Sequence, residues 1–189
     1  MQPQFISPVA NRKQSRSKLP IIAAIVGVLV VIGGGIAILV ISNSNNPVPD
    51  MDRLNTRMNA VSSYVAEGRK SARSADVVKI TSDASILLTG DTATLKKVTS
   101  TAGAQGKSKD VIASEKRRGD AILKDLKSAS VDGRFDREYV STLKEELSDT
   151  QDLLLKVNEA SSKAAVKTAT MNVNDHIDTI LVALGKLSL

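Results

Sequence analysis

His176 is the one histidine in a chain of 189 residues, and it stands between Asp175 and Asp178. An imidazole among carboxylates can take part in a metal site: Asp175 orients the ring, and a cation uses one ring nitrogen with one or two carboxylates. A tight transition-metal site wants further ligands, and the chain has no second histidine and no cysteine to supply them. His176, Asp175 and Asp178 are therefore candidates for a small-molecule or metal site. The competing expectation is a partly exposed structural histidine at the edge of an apolar stripe. A second cluster of titratable groups is Glu145-Glu146 with Asp149 and Asp152. Paired carboxylates work as acid and base only in a desolvated cleft that shifts one pKa. Interleaved with Lys144 and Gln151, these four are expected on a solvated helix face. The chain carries no Gly-x-Ser-x-Gly elbow, no complete Gly-x-x-x-x-Gly-Lys phosphate loop and no cysteine nucleophile. Serine and threonine are abundant, yet none has the histidine beside it. The expectation is a chain without catalytic residues and without a cofactor.

Whatever positions these groups is governed by one stretch near the start. Residues 21–41 are Ile, Val, Leu, Ala and Gly alone. Twenty-one residues at about 1.5 Å each reach about 31 Å, the hydrocarbon thickness of a bilayer. Residues 20–42 are thus expected to form one transmembrane helix. Residues 1–19 hold Arg12, Lys13, Arg16 and Lys18 against no acid, and read as a disordered basic tail. Beyond residue 42 the first basic residue is Arg53, with Asp50 and Asp52 beside it. The excess of positive charge before the span places the N-terminus in the cytoplasm and residues 43–189 outside the cytoplasmic membrane. A cleaved signal peptide has an apolar region of about 7–15 residues, so an uncleaved signal-anchor fits this longer run better. Within it, Ala23, Gly27, Val30, Gly34 and Ala37 recur at helical spacing and leave one thin face. A second helix could approach that face closely, so a second copy of the span is an expected partner beside the lipid bilayer.

The formal net charge of +6 divides unevenly, because four of the 26 basic residues stand in the tail. The remaining 22 face 20 acids over the rest of the chain, which describes a mixed, solvated surface. Outside the tail the aromatic residues are Tyr64, Phe135 and Tyr139, too few for base stacking, so nucleic acid is not an expected partner. Without cysteine there are no disulfides, and a core must hold the 147 residues after the span.

Residues 43–50, with Pro47 and Pro49, read as a short linker, and residues 51–189 as a helical domain. Met51, Leu54, Met58, Val61 and Val65 fall at spacings of three and four, one apolar stripe with Asp50 as its expected N-cap. Val77, Ile80, Ala84, Leu87 and Leu88 make a second stripe. The pattern leaves open whether residues 51–90 are one helix or two. Gly90 is expected to end that run, and Asp91 to cap a short helix with Leu95 and Val98. A loop over residues 101–108 follows, with Ser108 capping a helix that carries Val111, Ile112, Ile122, Leu123 and Leu126. Gly119 weakens its middle by about 1 kcal/mol of propensity. After the Asp132-Gly133 turn, Asp136 is expected to cap a long helix onto which Phe135 staples through Val140. Its stripe is Val140, Leu143, Leu147, Thr150, Leu154 and Val157. A last helix carries Val173, Ile177, Ile180, Leu184 and Leu187, with an apolar face widened by Leu181 and Val182. No segment alternates with period two. The expected fold class is all-α: a single N-terminal transmembrane helix followed by an antiparallel four- or five-helix bundle outside the membrane.

Phe135-Asp136-Arg137-Glu138-Tyr139, opening a long helix that pairs with a final helix carrying His176, resembles part of a known family. Over residues 130–185 the chain is similar to the C-terminal half of the ferritin-like four-helix domains of unknown function found in bacterial envelopes. That resemblance implies a four-helix bundle outside the cytoplasmic membrane. It does not carry over a di-iron centre, whose Glu-x-x-His pairs need histidines on two helices; the residue three before His176 is Val173. The function expected is a non-enzymatic interaction or structural module that binds another envelope protein or itself. A ferritin-like bundle that binds a small molecule or a metal without a di-iron centre is the alternative.

Overall fold

The computed structural model of this chain describes residues 46–104 and 106–188. They form five helices: α1 Val48–Ser71, α2 Ala75–Thr101, α3 Lys109–Val131, α4 Phe135–Ala160 and α5 Ala164–Gly185. Among the described residues there is no strand. No helix of theirs is long and apolar enough to cross a membrane. The proposed span, the stripe of Ala23, Gly27, Gly34 and Ala37, and the tail with Arg12, Lys13, Arg16 and Lys18 lie outside the described residues.

α1 starts three residues earlier than the sequence suggests. Pro47 occupies the N-cap position and Pro49 the first turn, where a missing N–H costs nothing. The N–H of Val48 is taken instead by Oδ1 of Asn46, at 3.1 Å. Asp50 is therefore a first-turn residue rather than the cap. At the far end the chain turns extended at Ala72, so residues 51–90 belong to two helices. α2 does not stop at Gly90. The glycine lies on an open face where a Cβ would meet nothing within 4 Å, and the helix runs through it to Thr101. The 102–108 connection uses positive φ at Gly103 and Gly106, and the Asp132-Gly133 turn uses it at Gly133, the conformation glycine adopts most easily.

Three-residue connections force α1 against α2, α3 against α4 and α4 against α5 in antiparallel pairs. The helices α1, α2, α5 and α4 close a ring in that order, each touching the next, and α3 lies along α1 and α4. Antiparallel packing of α1 on α2 is fixed by Asn55 to Thr99 and by Ser62 to Thr92. α3 runs parallel to α1, since Arg57 meets Glu115 while Ala60 faces Gly119. The bundle is thus antiparallel around its ring but not throughout: α3 reverses α2, which reverses α1.

The predicted stripes of α1, α4 and α5 form the core, with Leu54, Met58, Leu143, Leu147, Val157 and Ile177 buried completely. Against expectation, Val182 is 51% exposed, and Ile80 and Leu87 are only partly buried, because α2 turns Thr81, Asp91 and Thr99 inward beside Ala84 and Leu88. α3 buries least: Leu126 and Ala129 are covered, Ile122 and Leu123 only in part. Phe135 is the first residue of α4 rather than the residue before its cap, and its ring stacks on Tyr139, with centroids 5.3 Å apart and planes 11° apart.

Candidate functional site

Three polar constructions tie the helices together, and all three join residues far apart in sequence. The largest lies where α1, α3 and α4 meet. Arg57 in α1 donates from Nη2 to Oε1 of Glu115 in α3 at 2.9 Å, and from Nε to Oε2 at 3.1 Å. Arg118, one turn on in α3, forks onto Glu146 of α4 at 2.6 and 2.7 Å and reaches Asp149 at 3.0 Å. The Glu146 residue is 2% exposed, so the acidic run of α4 is not the solvated face expected of it. Glu145 and Asp152 are exposed, whereas Asp149 is half-buried against the two arginines. Burial pushes the Glu146 carboxyl up, against the pull of Arg118 and Arg57. Burial likewise opposes the Arg118 charge, but Glu146, Asp149 and Glu115 outweigh it and hold the guanidinium above its ordinary value. Tyr64 borders this network with a buried hydroxyl that has no hydrogen-bond partner, and burial raises its pKa strongly.

The second construction answers the candidate at His176. The Nδ1 of His176 meets Oδ1 of Asp91, on α2, at 2.9 Å. Asp175, the expected orienting residue, is exposed, as is Asp178, so the ring is held across a helix interface rather than by its sequence neighbours. The His176 side chain is 44% exposed, the Asp91 side chain 8%. Burial lifts the Asp91 carboxyl above its ordinary value, the bond to His176 opposing it, and Asp91 Oδ2 has no partner. Asp91 is thus a buried interhelical anchor and not a cap. Among the described residues no group of three or more His, Cys, Asp or Glu is arranged to hold a metal ion.

The third uses carboxylates to fasten turns. Asp52, 3% exposed on α1, accepts from the N–H groups of Gly106, Lys107 and Ser108 at 2.8–3.0 Å. Those successive N–H groups make an anion-binding concavity, and the chain fills it with its own carboxylate. Ser108 holds the N-cap position of α3 but makes no side-chain cap bond. Asp136, expected to cap its own helix, lies inside α4 and accepts from the N–H of Arg73 and of Ser74 instead, at 3.0 and 2.7 Å. It therefore fastens the α1–α2 turn.

Among the described residues, two surface clefts stand out. One of about 410 Å³ lies at the α1–α2 turn, with Arg73, Phe135 and Glu138 in its wall. The other, about 160 Å³, lies between Asn55, Asn59, Thr92 and Lys96. Neither includes Glu146 or His176 in its lining. Glu146, whose carboxyl burial pushes up, is matched to the Arg118 guanidinium inside the bundle.

Sequence reasoning missed Asp52, Asp91, Glu115 and Arg118. Glu146 carried a signal, since it falls between Leu143 and Thr150 on the inward stripe of α4. For the pairing of Asp91 with His176, 85 residues apart, no local signal exists.

Fold and interior together define an all-α bundle whose buried carboxylates are held by arginine, histidine or backbone N–H groups. Compared with known families, curated proteins and solved structures, the chain matches none.

Proposed function

We propose that this chain is a single-pass membrane protein that presents its helical bundle outside the cytoplasmic membrane as a non-enzymatic interaction or structural module. The observation that carries the proposal is the run of residues 21–41, apolar without exception and preceded by Arg12, Lys13, Arg16 and Lys18. Such a run is long enough to span a bilayer, and the preceding charges orient it with the N-terminus inside. The bundle supports the non-enzymatic half of the reading, because its buried carboxylates are engaged by arginine, histidine or backbone N–H. The resemblance of residues 130–185 to ferritin-like envelope domains agrees with that location. The partners proposed are the lipid bilayer, a second copy through Ala23, Gly27, Gly34 and Ala37, and another envelope protein.

The absence of native cysteine makes the test direct. In intact cells, Ser162→Cys should react with an impermeant thiol reagent, since Ser162 is exposed between α4 and α5, and Ser15→Cys should not. Reaction at position 15 alone reverses the proposed orientation. Release of the full chain from membranes by alkaline carbonate removes the anchor altogether.

A further inference from the structure

The two ends of the bundle differ in charge. The end at which α1 begins also gathers the end of α2, the start of α3, the end of α4 and the start of α5, as the bonds from Asp52 to residues 106–108 and from Asn158 to Lys167 require. It displays Lys96 and Lys97, Lys107 and Lys109, and Lys163 and Lys167, all exposed, and Lys156 extends the group on α4. Of the acids nearby, Asp52 is buried in its loop and Asp50 lies 3.5 Å from Arg53, which leaves Asp110, Glu159 and, one turn before Lys156, Asp152 exposed. At the opposite end acids and bases alternate, as in Asp132, Arg134, Asp136, Arg137 and Glu138.

Nothing within the bundle engages these lysines. Among the described residues the one lysine in an ion pair is Lys79, with Asp83, at 3.6 Å. Several also stand where they weaken the fold. Lys163 is the N-cap of α5, Lys167 follows one turn later, and that first turn holds no acid; Lys109 is the first residue of α3. A cation at a helix N-terminus opposes the macrodipole. Residues that break a local rule with no gain inside the molecule point to a gain outside it. The aromatic residues of the bundle, Tyr64, Phe135 and Tyr139, are buried, so this end offers no stacking platform for nucleic acid.

We infer that the end of the bundle where α1 begins docks on the anionic phospholipid headgroups of the bilayer that anchors the chain, an inference that rests on the anchoring proposed above. The polypeptide enters this end at Asn46, four positions after residue 42, a reach of about 14 Å when extended. That reach is an upper bound of under two Debye lengths, each about 8 Å at physiological salt, so the tether keeps the lysine cluster close enough to settle within one of them on a negative surface. Lysine, a compact charge on a long stem, suits mobile headgroups better than a fixed bidentate partner.

The test uses the full chain reconstituted in vesicles. Acylation of exposed amines, read residue by residue by mass spectrometry, is compared between phosphatidylcholine vesicles and vesicles containing one-third phosphatidylglycerol. Lys107, Lys163 and Lys167 should react roughly threefold or more slowly on the anionic vesicles, and high salt should remove the difference. Lys79, Lys124 and Lys186, at the other end, should react equally on both. Replacing Lys163→Glu and Lys167→Glu together should abolish the protection of Lys107 while leaving the thermal melt unchanged or higher. Equal rates on the two vesicles overturn the inference, as does slowing by soluble polyphosphate on neutral vesicles to the same degree. Alkaline carbonate separates the two readings. Chains stripped by it overturn the anchor and the docking with it, whereas chains retained but unprotected overturn the docking alone.

Discussion

A glycine inside a helix costs about 1 kcal/mol relative to alanine, and whether that cost can be recovered depends on what faces it. Gly68 of α1 lies directly under the Tyr139 ring of α4, where a Cβ would run into the ring carbons and hydroxyl. Gly68→Ala should therefore lose about 2 kcal/mol despite its better propensity, because the added methyl overlaps the fully buried Tyr139 ring and something must shift. Gly90→Ala, on an open face of α2, should gain about 0.5–1 kcal/mol. Urea unfolding followed by circular dichroism separates the two, and a stable Gly68→Ala would deny the close approach of α1 and α4. Asp91 makes a prediction in pH. Burial sets its carboxyl above the ordinary aspartate value, so between the two values the folded chain holds a proton that the unfolded chain has released. The stability it contributes is present below the ordinary aspartate range and is lost as pH rises through the raised value. Asp91→Asn should remove that slope, so that wild-type stability minus variant stability falls as pH is raised from about 3 to 7. A difference that grows with pH would show that the carboxylate is stabilised by His176 more than it is penalised by burial.

At the scale of the helix, α3 is the element held least by apolar burial and most by charge. Leu126 and Ala129 are its buried side chains apart from hydrogen at Gly119, while Glu115 and Arg118 reach to α1 and α4. Removing one member of a buried pair leaves the other desolvated and unmatched. Glu146→Ala should cost about 2–3 kcal/mol, moderated because Arg118 keeps Asp149 at 3.0 Å and some contact with water. Replacing both, Glu146→Leu with Arg118→Met, should return stability to within about 1 kcal/mol of the parent or above it. Thermal melts of the single and double variants check this. A silent Glu146→Ala would mean that α3 is held by its apolar contacts alone. Gly119 belongs to the same contact, since a Cβ there would stand 2.9 Å from that of Ala60. What reads in sequence as a weakened helix centre is the point where α3 comes closest to α1.

For the whole molecule, residues 44–189 form one compact unit with a continuous core drawn from all five helices. That core should fold without the preceding 43 residues. The fragment 44–189 is expected to be fully helical and to melt in one cooperative transition. Coincident transitions by circular dichroism and by tyrosine fluorescence would establish this, and separate transitions, with α3 leaving first, would refute it. The end-to-end charge difference belongs to this scale as well, because no single helix carries it.

The sequence by itself determined the apolar run of residues 21–41, the all-α class, the stripes of α1, α4 and α5 and, to within a residue, the positions of the Asp132-Gly133 turn and the 101–108 loop. These follow from local periodicity and turn chemistry, which need no knowledge of the neighbours. Even the boundary between α1 and α2, and the passage of α2 through Gly90, escaped that reading, because an open glycine and a terminal glycine look alike in one dimension. Tertiary structure alone decided which charges were buried. Asp52, Asp91 and Asp136 each read as a helix start or a surface acid, and each is instead spent on a distant partner: a loop, an imidazole and a turn. The physical reason is that a carboxylate is stable inside a protein wherever donors converge on it, and convergence is a property of helices meeting, not of residues in succession.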